Sequence, residues 1–339
     1  VAYFRSLPRI EDLLALFKKQ ERWLIAINAD PDALASAMAL KRIMVHRVQD
    51  VGIAHVNEIS RPDNLEMIAS LRIPTRRMNP NYTAQFDRFA LVDSQPHHHK
   101  DFAGLRFSIV IDHHPRSTEN PVDADFVHIQ PDYGSNSTLL TEYLYNMDIR
   151  PGKFLATALQ YGIKTDTSSF ERAFCEADLR AFQYLNKFAD ALLLRKIYRS
   201  EFQLEWLRYF CQAYFKMRVI GDGLFAFLDH VESPDILVLL ADLFLRVQGR
   251  SWTAISGIVD DKAVVIFRGD GLRRDMGKFA QRCFADVGSA GGRVNAARAE
   301  VPVSAAQDEP SVEAFVWKRL HTKRKRPQKP APEAPAQNQ

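Results

Sequence analysis

Cysteine is scarce: Cys175, Cys211 and Cys283 are the only three in 339 residues, widely spaced and odd in number. That argues against a disulfide framework and sets the expectation of a reducing, cytoplasmic compartment. Long hydrophobic runs are missing too. Ile236–Ala241 is one of the more apolar stretches and closes at Asp242 after six residues, whereas a membrane helix needs ~20. The opening VAYFRSLPRIEDLL has no apolar signal core and places Glu11 and Asp12 where one would sit. No self-similarity recurs at solenoid periods. These absences set aside membrane-spanning, disulfide-stapled and repeat classes and leave a soluble protein as the expectation. The start at Val1 rather than Met leaves an upstream segment open.

Positive charge is also lacking where it first seems abundant. The formal net charge is +4, but residues 318–339 carry seven Lys or Arg against Glu333 alone, a net +6. Removing that tail leaves residues 1–317 at −2, so bulk charge gives no reason for the body to attract nucleic acid. The tail, ending KRKRPQKPAPEAPAQNQ, is Pro-rich and polar and is expected to be disordered.

What is present is an ordinary globular composition, 46% hydrophobic and 25% charged, long enough for two domains with a core each. Residues 9–20 have helical apolar spacing. Trp23–Ile27 reads as a buried strand, followed by a polar turn and an apolar helix over about Leu34–Val48. Strands are expected near Ile53–Val56, Phe89–Val92 and Phe107–Ile111, and helices near Thr138–Asn146, Phe154–Gly162 and Asp178–Phe188. Apolar strands alternating with helices imply an α/β fold with a mainly parallel sheet flanked by helices. After an amphipathic helical connector at 189–217, strands near Phe225–Leu228, Trp252–Val259 and Ala263–Phe267 alternate with helices near Pro234–Arg246 and Arg274–Phe284. The expected division is a large domain at 1–188, the connector, a smaller α/β domain at 218–317 and the tail at 318–339.

Three apolar strands end in aspartate. WLIAI leads to Asp30-Pro31-Asp32, FALV to Asp93, and FSIVI to Asp112-His113-His114. Ligands of open α/β sheets collect outside the carboxyl ends of the strands, and acidic groups gathered there repel one another unless a cation neutralises them. One such Asp would merely start a turn or cap a helix; three, with two adjacent histidines, point to a metal site. Asp166, at the end of the apolar helical stretch that starts near Leu155, adds a fourth carboxylate. Carboxylates with imidazoles suit Mn²⁺, Mg²⁺ or Zn²⁺, and two ions ~3.5–4 Å apart form a clamp for in-line attack at phosphorus.

The ordered set ADPDALAS (29–36), LVDSQ (91–95), IDHHP (111–115), DYGSNSTLLTEYL (132–144) and GIKTDT (162–167) resembles the DHH phosphoesterases. GSAGGRVNAARAE (288–300) resembles the DHHA1 domain that accompanies them. The resemblance implies that Asp30 and Asp32 each serve one metal, Asp93 bridges both, and His113 and Asp166 bind the second. It implies further that His114 contacts the scissile phosphate, that Asp112 positions the histidine pair, and that the nucleophile is a metal-bound hydroxide. Two departures stand out. The family's histidine four residues before the first motif aspartate is here Ala26, so one ligand of the first metal is missing and weaker binding of that ion is expected. In the small domain, Arg293 replaces the histidine after the glycines and Arg298 replaces the final glycine of the pattern.

Gly291 and Gly292 still allow close backbone approach to a ligand, and Arg293 could grip phosphate bidentately. Arg268, leaving an apolar strand, is the best further candidate to line a substrate cleft between the domains. Ser135, in a helix-opening Gly-Ser-Asn-Ser-Thr, reads equally as part of a phosphate cradle or as a simple helix cap. His97-His98-His99 reads as a solvated loop. The resulting expectation is Mn²⁺-dependent hydrolysis of phosphoester bonds in short oligonucleotides or bisphosphonucleotides, with Mg²⁺, Co²⁺ or Zn²⁺ as substitute ions. Nanoribonuclease and bisphosphonucleotide phosphatase activities are the nearest family analogies. A cyclic-dinucleotide phosphodiesterase, an exopolyphosphatase and a catalytically weakened nucleotide-binding regulator are the alternatives. Expected partners are a phosphate-ester substrate and no membrane, with a homodimer left open.

Overall fold

The computed structural model describes residues 3–7 and 9–321, so most of the expected disordered tail, residues 322–339, lies outside the described residues. The chain divides into two compact units, residues 1–203 and 204–339.

The first unit runs α1 (Ile10–Ala15), β1 (Arg22–Ile27), α2 (Pro31–Met44), β2 (Asp50–His55), α3 (Pro62–Leu71), β3 (Thr75–Arg77), α4 (Pro80–Thr83), β4 (Arg88–Val92), β5 (Phe107–Asp112), β6 (Phe126–Ile129), α5 (Asn136–Asn146), α6 (Lys153–Asp166), α7 (Glu176–Leu185) and α8 (Ala191–Tyr198). Its six strands form one sheet in the order β3-β2-β1-β4-β5-β6, and every pairing is parallel. Trp23, Leu24, Ile25, Ala26 and Ile27 are all fully buried, as a strand covered on both faces requires. The strand order reverses direction between β1 and β4, and at such a switch point the carboxyl ends of the strands open a crevice.

The α/β architecture with a mainly parallel sheet is as the sequence implied, and the differences lie at element ends and edges. The helix after β1 starts at Pro31 rather than near Leu34, because Pro suits the first helical position and the Asp30 side chain caps the turn by accepting from Ala33 N. Helix α2 is buried nearly throughout, and its alternating alanines Ala33, Ala35, Ala37 and Ala39 keep it slim enough to lie close to its neighbours. Unanticipated β3 and β6 are sheet edges of three and four residues, too short for a periodicity to declare itself.

The second unit contains α9 (Leu207–Lys216), β7 (Arg218–Ile220), β8 (Gly223–His230), α10 (Pro234–Leu245), β9 (Trp252–Val259), β10 (Lys262–Gly269), α11 (Met276–Phe284), β11 (Ser289–Gly292), β12 (Ala296–Pro302) and α12 (Val312–His321). Its sheet has the order β11-β12-β10-β9-β8-β7. Only β8 and β9 are parallel, across the crossover helix α10; the other pairs are antiparallel. Within the expected connector, Ile197 of α8 is buried in the core of the first unit, while Tyr209 and Ala213 of α9 belong to a core of the second. Among the described residues no helix is long and apolar enough to cross a membrane.

Candidate metal centre

Each acidic strand end delivers its side chain through a specific local device. After β1 the chain turns into α2, and Asn57 clamps that turn by accepting from Ala29 N (2.6 Å) and donating to Ala29 O (2.8 Å). Asp30 Oδ1 caps α2, 2.8 Å from Ala33 N. Asp32, in the first turn, is fully buried; Asn136 N and Ser137 N at the start of α5 donate to its two oxygens at 2.6 and 2.8 Å. An anion at a helix N-terminus is favoured by free N–H groups and by the helix dipole. Close approach of α6 to this carboxylate depends on Gly162, where any Cβ would stand 3.1 Å from Asp32 Cα.

Asp93 follows β4 in the left-handed region (φ 57°), a conformation that Asp tolerates better than most residues and that often marks functional turns. At the end of β5, Asp112 is fully buried. One of its oxygens accepts from Gln95 Nε2 at 2.8 Å and the other pairs with His114 Nδ1 at 2.8 Å. His113 Nδ1 lies 3.0 Å from Tyr133 O; a carbonyl only accepts, so Nδ1 carries the proton and donates. The other nitrogen, Nε2, lies 3.0 Å from Asp166 Oδ2 and 3.5 Å from Asp93 Oδ1.

Ligand atoms of Asp93, His113 and His114 thus lie within 4.8 Å of one another, as do those of Asp32, His113 and Asp166. Asp30 belongs to neither triplet. Asp93 Oδ1 and His113 Nε2 are buried without a hydrogen-bond partner, an expensive state for polar atoms. Two buried ligand atoms 3.5 Å apart among carboxylates fit a divalent cation, and the mixed carboxylate and imidazole donors suit Mn²⁺, Mg²⁺ or Zn²⁺.

The electrostatics express the same need. Burial, and then the neighbouring Asp166, raise Asp30 to about 6 and Asp32 to about 7. Burial, and then Asp32 and Asp30, hold Asp93 well above the usual carboxylate range. His113 moves the other way from an ordinary buried imidazole: burial lowers it, but Asp166 outweighs burial and brings it to about 9. For Asp112, burial is outweighed by the His114 and Gln95 contacts, which bring it down to about 2. Asp30, Asp32 and Asp93 are thus all shifted towards holding protons, whereas Asp112 is held ionised.

The remaining candidates lie elsewhere. Ser135 is fully buried and caps α5, accepting from Thr138 N at 3.2 Å. The helix start offered as a phosphate cradle is instead filled by Asp32. Arg268, Gly291, Gly292 and Arg293 are in the second unit. Strand register places Arg268 opposite Ala296 and Gly292 opposite Ala297, at one end of that sheet. Arg268 Nε is 2.8 Å from Asp242 Oδ1, so its charge already has a partner. Gly292 has φ 152° and a Cβ on it would lie 2.3 Å from Ala296 O, which ties this glycine to the hairpin itself.

The sequence reading gave no role to Gln95, Asn57 or Asp178. Asp178 is fully buried and accepts from Gly134 N (2.9 Å), Cys175 N (2.8 Å) and Thr138 Oγ1 (2.5 Å), bracing the start of α5. Gln95 sits in the turn that Asp93 opens, the one signal that could have flagged it. His98, taken for part of a solvated loop, is exposed, yet its ring lies against that of His114, with centroids 5.4 Å apart.

Residues 24–163 match the DHH family, N-terminal domain. An uncharacterized protein of Methanocaldococcus jannaschii is 31% identical over 304 residues, 88% of this chain and 62% of that protein. The cyclic-di-AMP phosphodiesterase PdeA of Listeria monocytogenes is 27% identical over 208 residues, 59% of this chain and 31% of that protein. The chain therefore spans less than two thirds of the length of either relative. Among solved structures, an exopolyphosphatase-related protein from Bacteroides fragilis superposes with a TM-score of 0.71 at 16% identity, covering 92% of this chain and 95% of that one. At that identity the likeness concerns the fold.

Proposed function

Residues 24–163 of this chain match the N-terminal domain of the DHH family, and from that premise we propose that the first unit is a phosphoesterase of this family. It would use two divalent ions, Mn²⁺ first among them, to hydrolyse phosphoester bonds of short oligonucleotides or bisphosphonucleotides. The observation that carries this reading is the buried, unpartnered pair Asp93 Oδ1 and His113 Nε2 inside a ring of carboxylates.

Asp30, Asp32, Asp93, His113 and Asp166 would hold the ions, which when bound supply positive charge to a phosphoryl group and acidify water. The chain's own contribution is orientation. Because Nδ1–H of His113 is committed to Tyr133 O, Nε2 is the atom turned towards the ions, and its proton would leave on ligation. Asp32 is aimed by the two amides of α5. Ionised Asp112 accepts from His114 Nδ1 and fixes that ring, leaving its Nε2 for a phosphoryl oxygen. Within the second unit, Arg293, exposed after β11, with the backbone at Gly291 and Gly292, would offer an anion grip of its own; Arg268 pairs with Asp242 and Ser135 accepts from Thr138 N.

Similarity to the Listeria enzyme favours one further substrate for the same site, a cyclic dinucleotide. The test is hydrolysis of a 5′-phosphorylated dinucleotide, a 3′,5′-bisphosphonucleotide, cyclic di-AMP and polyphosphate with Mn²⁺, comparing wild type with Asp93→Ala. Turnover that disappears in the variant is expected. A wild-type chain inert on the whole panel would remove the enzyme reading.

A further inference from the structure

We propose that Gln95 is a positioning residue of this site: its side-chain amide keeps Asp112 turned towards His114, and so keeps the His114 ring where a phosphoryl group would meet it. The phosphoryl group rests on the phosphoesterase reading; the bracing of the ring does not.

The brace follows from the sheet. Strands β4 and β5 are parallel neighbours, so their carboxyl ends lie side by side, and Asp93 N, just past β4, donates to Ile111 O of β5 at 2.9 Å. After the left-handed turn at Asp93 the backbone is extended again at Gln95 (φ −118°, ψ 154°), which is fully buried. Its Nε2 lies 2.8 Å from Asp112 Oδ2, 3.3 Å from His114 O and 3.2 Å from Pro115 O. The two carbonyls can only accept, so the amide end that faces them is the NH₂ group, and the orientation of this side chain is fixed. One buried amide thus grips the Asp112–Pro115 segment at three points.

Asp112 passes the constraint on. With Oδ2 held by Gln95, Oδ1 faces His114 Nδ1 at 2.8 Å, whereas Asp93 Oδ1, an oxygen assigned above to the ions, is 3.9 Å from the same nitrogen. A carboxylate turns easily about its last torsion, so without the amide Asp112 no longer presents one oxygen to the ring. His113 is anchored separately, by Tyr133 O, and metal binding should feel the change less than His114 does. A glutamine that only fills space would be replaced without harm by a carboxyl of the same size. Positioning requires the opposite, because Gln95→Glu sets a carboxylate oxygen against Asp112 Oδ2 and two carbonyls, all acceptors.

The experiment compares the full wild-type chain with Gln95→Met and Gln95→Glu. In the ¹⁵N-histidine-labelled protein, His114 Nδ1–H should give a slowly exchanging resonance, assigned by its absence in His114→Ala. We expect that resonance to be lost to exchange in both Gln95 variants. With Mn²⁺, on whichever ester turns over, kcat should fall about tenfold to a hundredfold, with KM and Mn²⁺ affinity within about threefold of wild type. If Gln95→Met does not fold, Gln95→Asn, which keeps the amide but withdraws it by one methylene, is read in the same way. An unchanged His114 resonance in the variants, a fall in Mn²⁺ affinity as large as that in kcat, or a Gln95→Glu chain that behaves as wild type each overturns the proposal. Loss of the His114 resonance in variants of a chain that hydrolyses no ester would support the bracing and remove only the phosphoesterase reading.

Discussion

Gly162→Ala sets two well-characterised effects against each other. Inside a helix, Ala is favoured over Gly by ~1 kcal/mol, so α6 considered alone predicts stabilisation. Packing predicts the reverse. The new Cβ would stand 2.4 Å from Ser137 Oγ, 3.0 Å from Asp32 Oδ1 and 3.1 Å from Asp32 Cα. The serine hydroxyl can rotate away. The Asp32 backbone cannot, because it lies in the first turn of a buried helix with its carboxylate held by two α5 amides. Helix α6 must therefore back away from α2, an overpacking cost of ~1–3 kcal/mol. We expect a net loss of up to about 2 kcal/mol, read as a fall of up to about 8 °C in the Tm of the metal-free protein. The same shift carries Asp166, at the end of α6, away from its place 3.0 Å from His113 Nε2, so Mn²⁺ affinity measured calorimetrically should also fall. Adding Ser137→Ala should recover only part of the loss, since the contact with Asp32 Cα persists. A Tm that rises, with Mn²⁺ affinity unchanged, would refute the claim that this glycine exists to seat Asp32.

In the metal-free protein, stability should fall as pH rises from about 5.5 to 8.5. Asp30 and Asp32 are raised to about 6 and about 7, so the stability they lend is complete below their ordinary 3.8 and is lost as pH climbs through those values. His113, raised to about 9, acts in the same direction, its contribution being complete below 6.5 and lost towards 9. Mn²⁺ should reverse the trend, raising Tm more at pH 8.5 than at 5.5 and releasing protons on binding; a flat or rising metal-free profile by thermal unfolding would count against the site electrostatics. Ala26→His should raise Mn²⁺ affinity and turnover by restoring an imidazole, while lowering stability by ~1–3 kcal/mol because Ala26 is fully buried against Leu91 and Val110. No gain in Mn²⁺ affinity would show that the missing imidazole is not what limits the first ion. Asp178→Ala strands three donors, one buried and two half-buried, and should cost ~2–4 kcal/mol, visible as a lowered urea midpoint; a near-neutral result would mean that α5 is not braced from there.

The parallel sheet was legible because WLIAI, FALV and FSIVI are continuous apolar runs, and only strands covered on both faces need such runs. Edge strands β3 and β6 were not legible, since a few half-exposed residues carry no period. The tight grouping of Asp32, Asp93, His113, His114 and Asp166 follows from strand-end placement and motif order, both readable along the chain. Residues that act by bracing were hidden: Asp178 is distant in sequence from the glycine and threonine it supports, and Gln95 reads as an ordinary turn residue.

By itself the sequence determined the fold class, the strand ends at which charge collects, and the residue types offered to a metal and an anion, because periodicity and residue chemistry are local properties. Only the tertiary structure decided what each group faces. It put Asp32 at the α5 terminus, which had read equally as a phosphate cradle or a helix cap, tied Arg268 to Asp242, and set the exposed His98 ring against His114. A hydrogen bond or an ion pair is a relation between atoms that the chain brings together from distant positions, and no single stretch of residues specifies it.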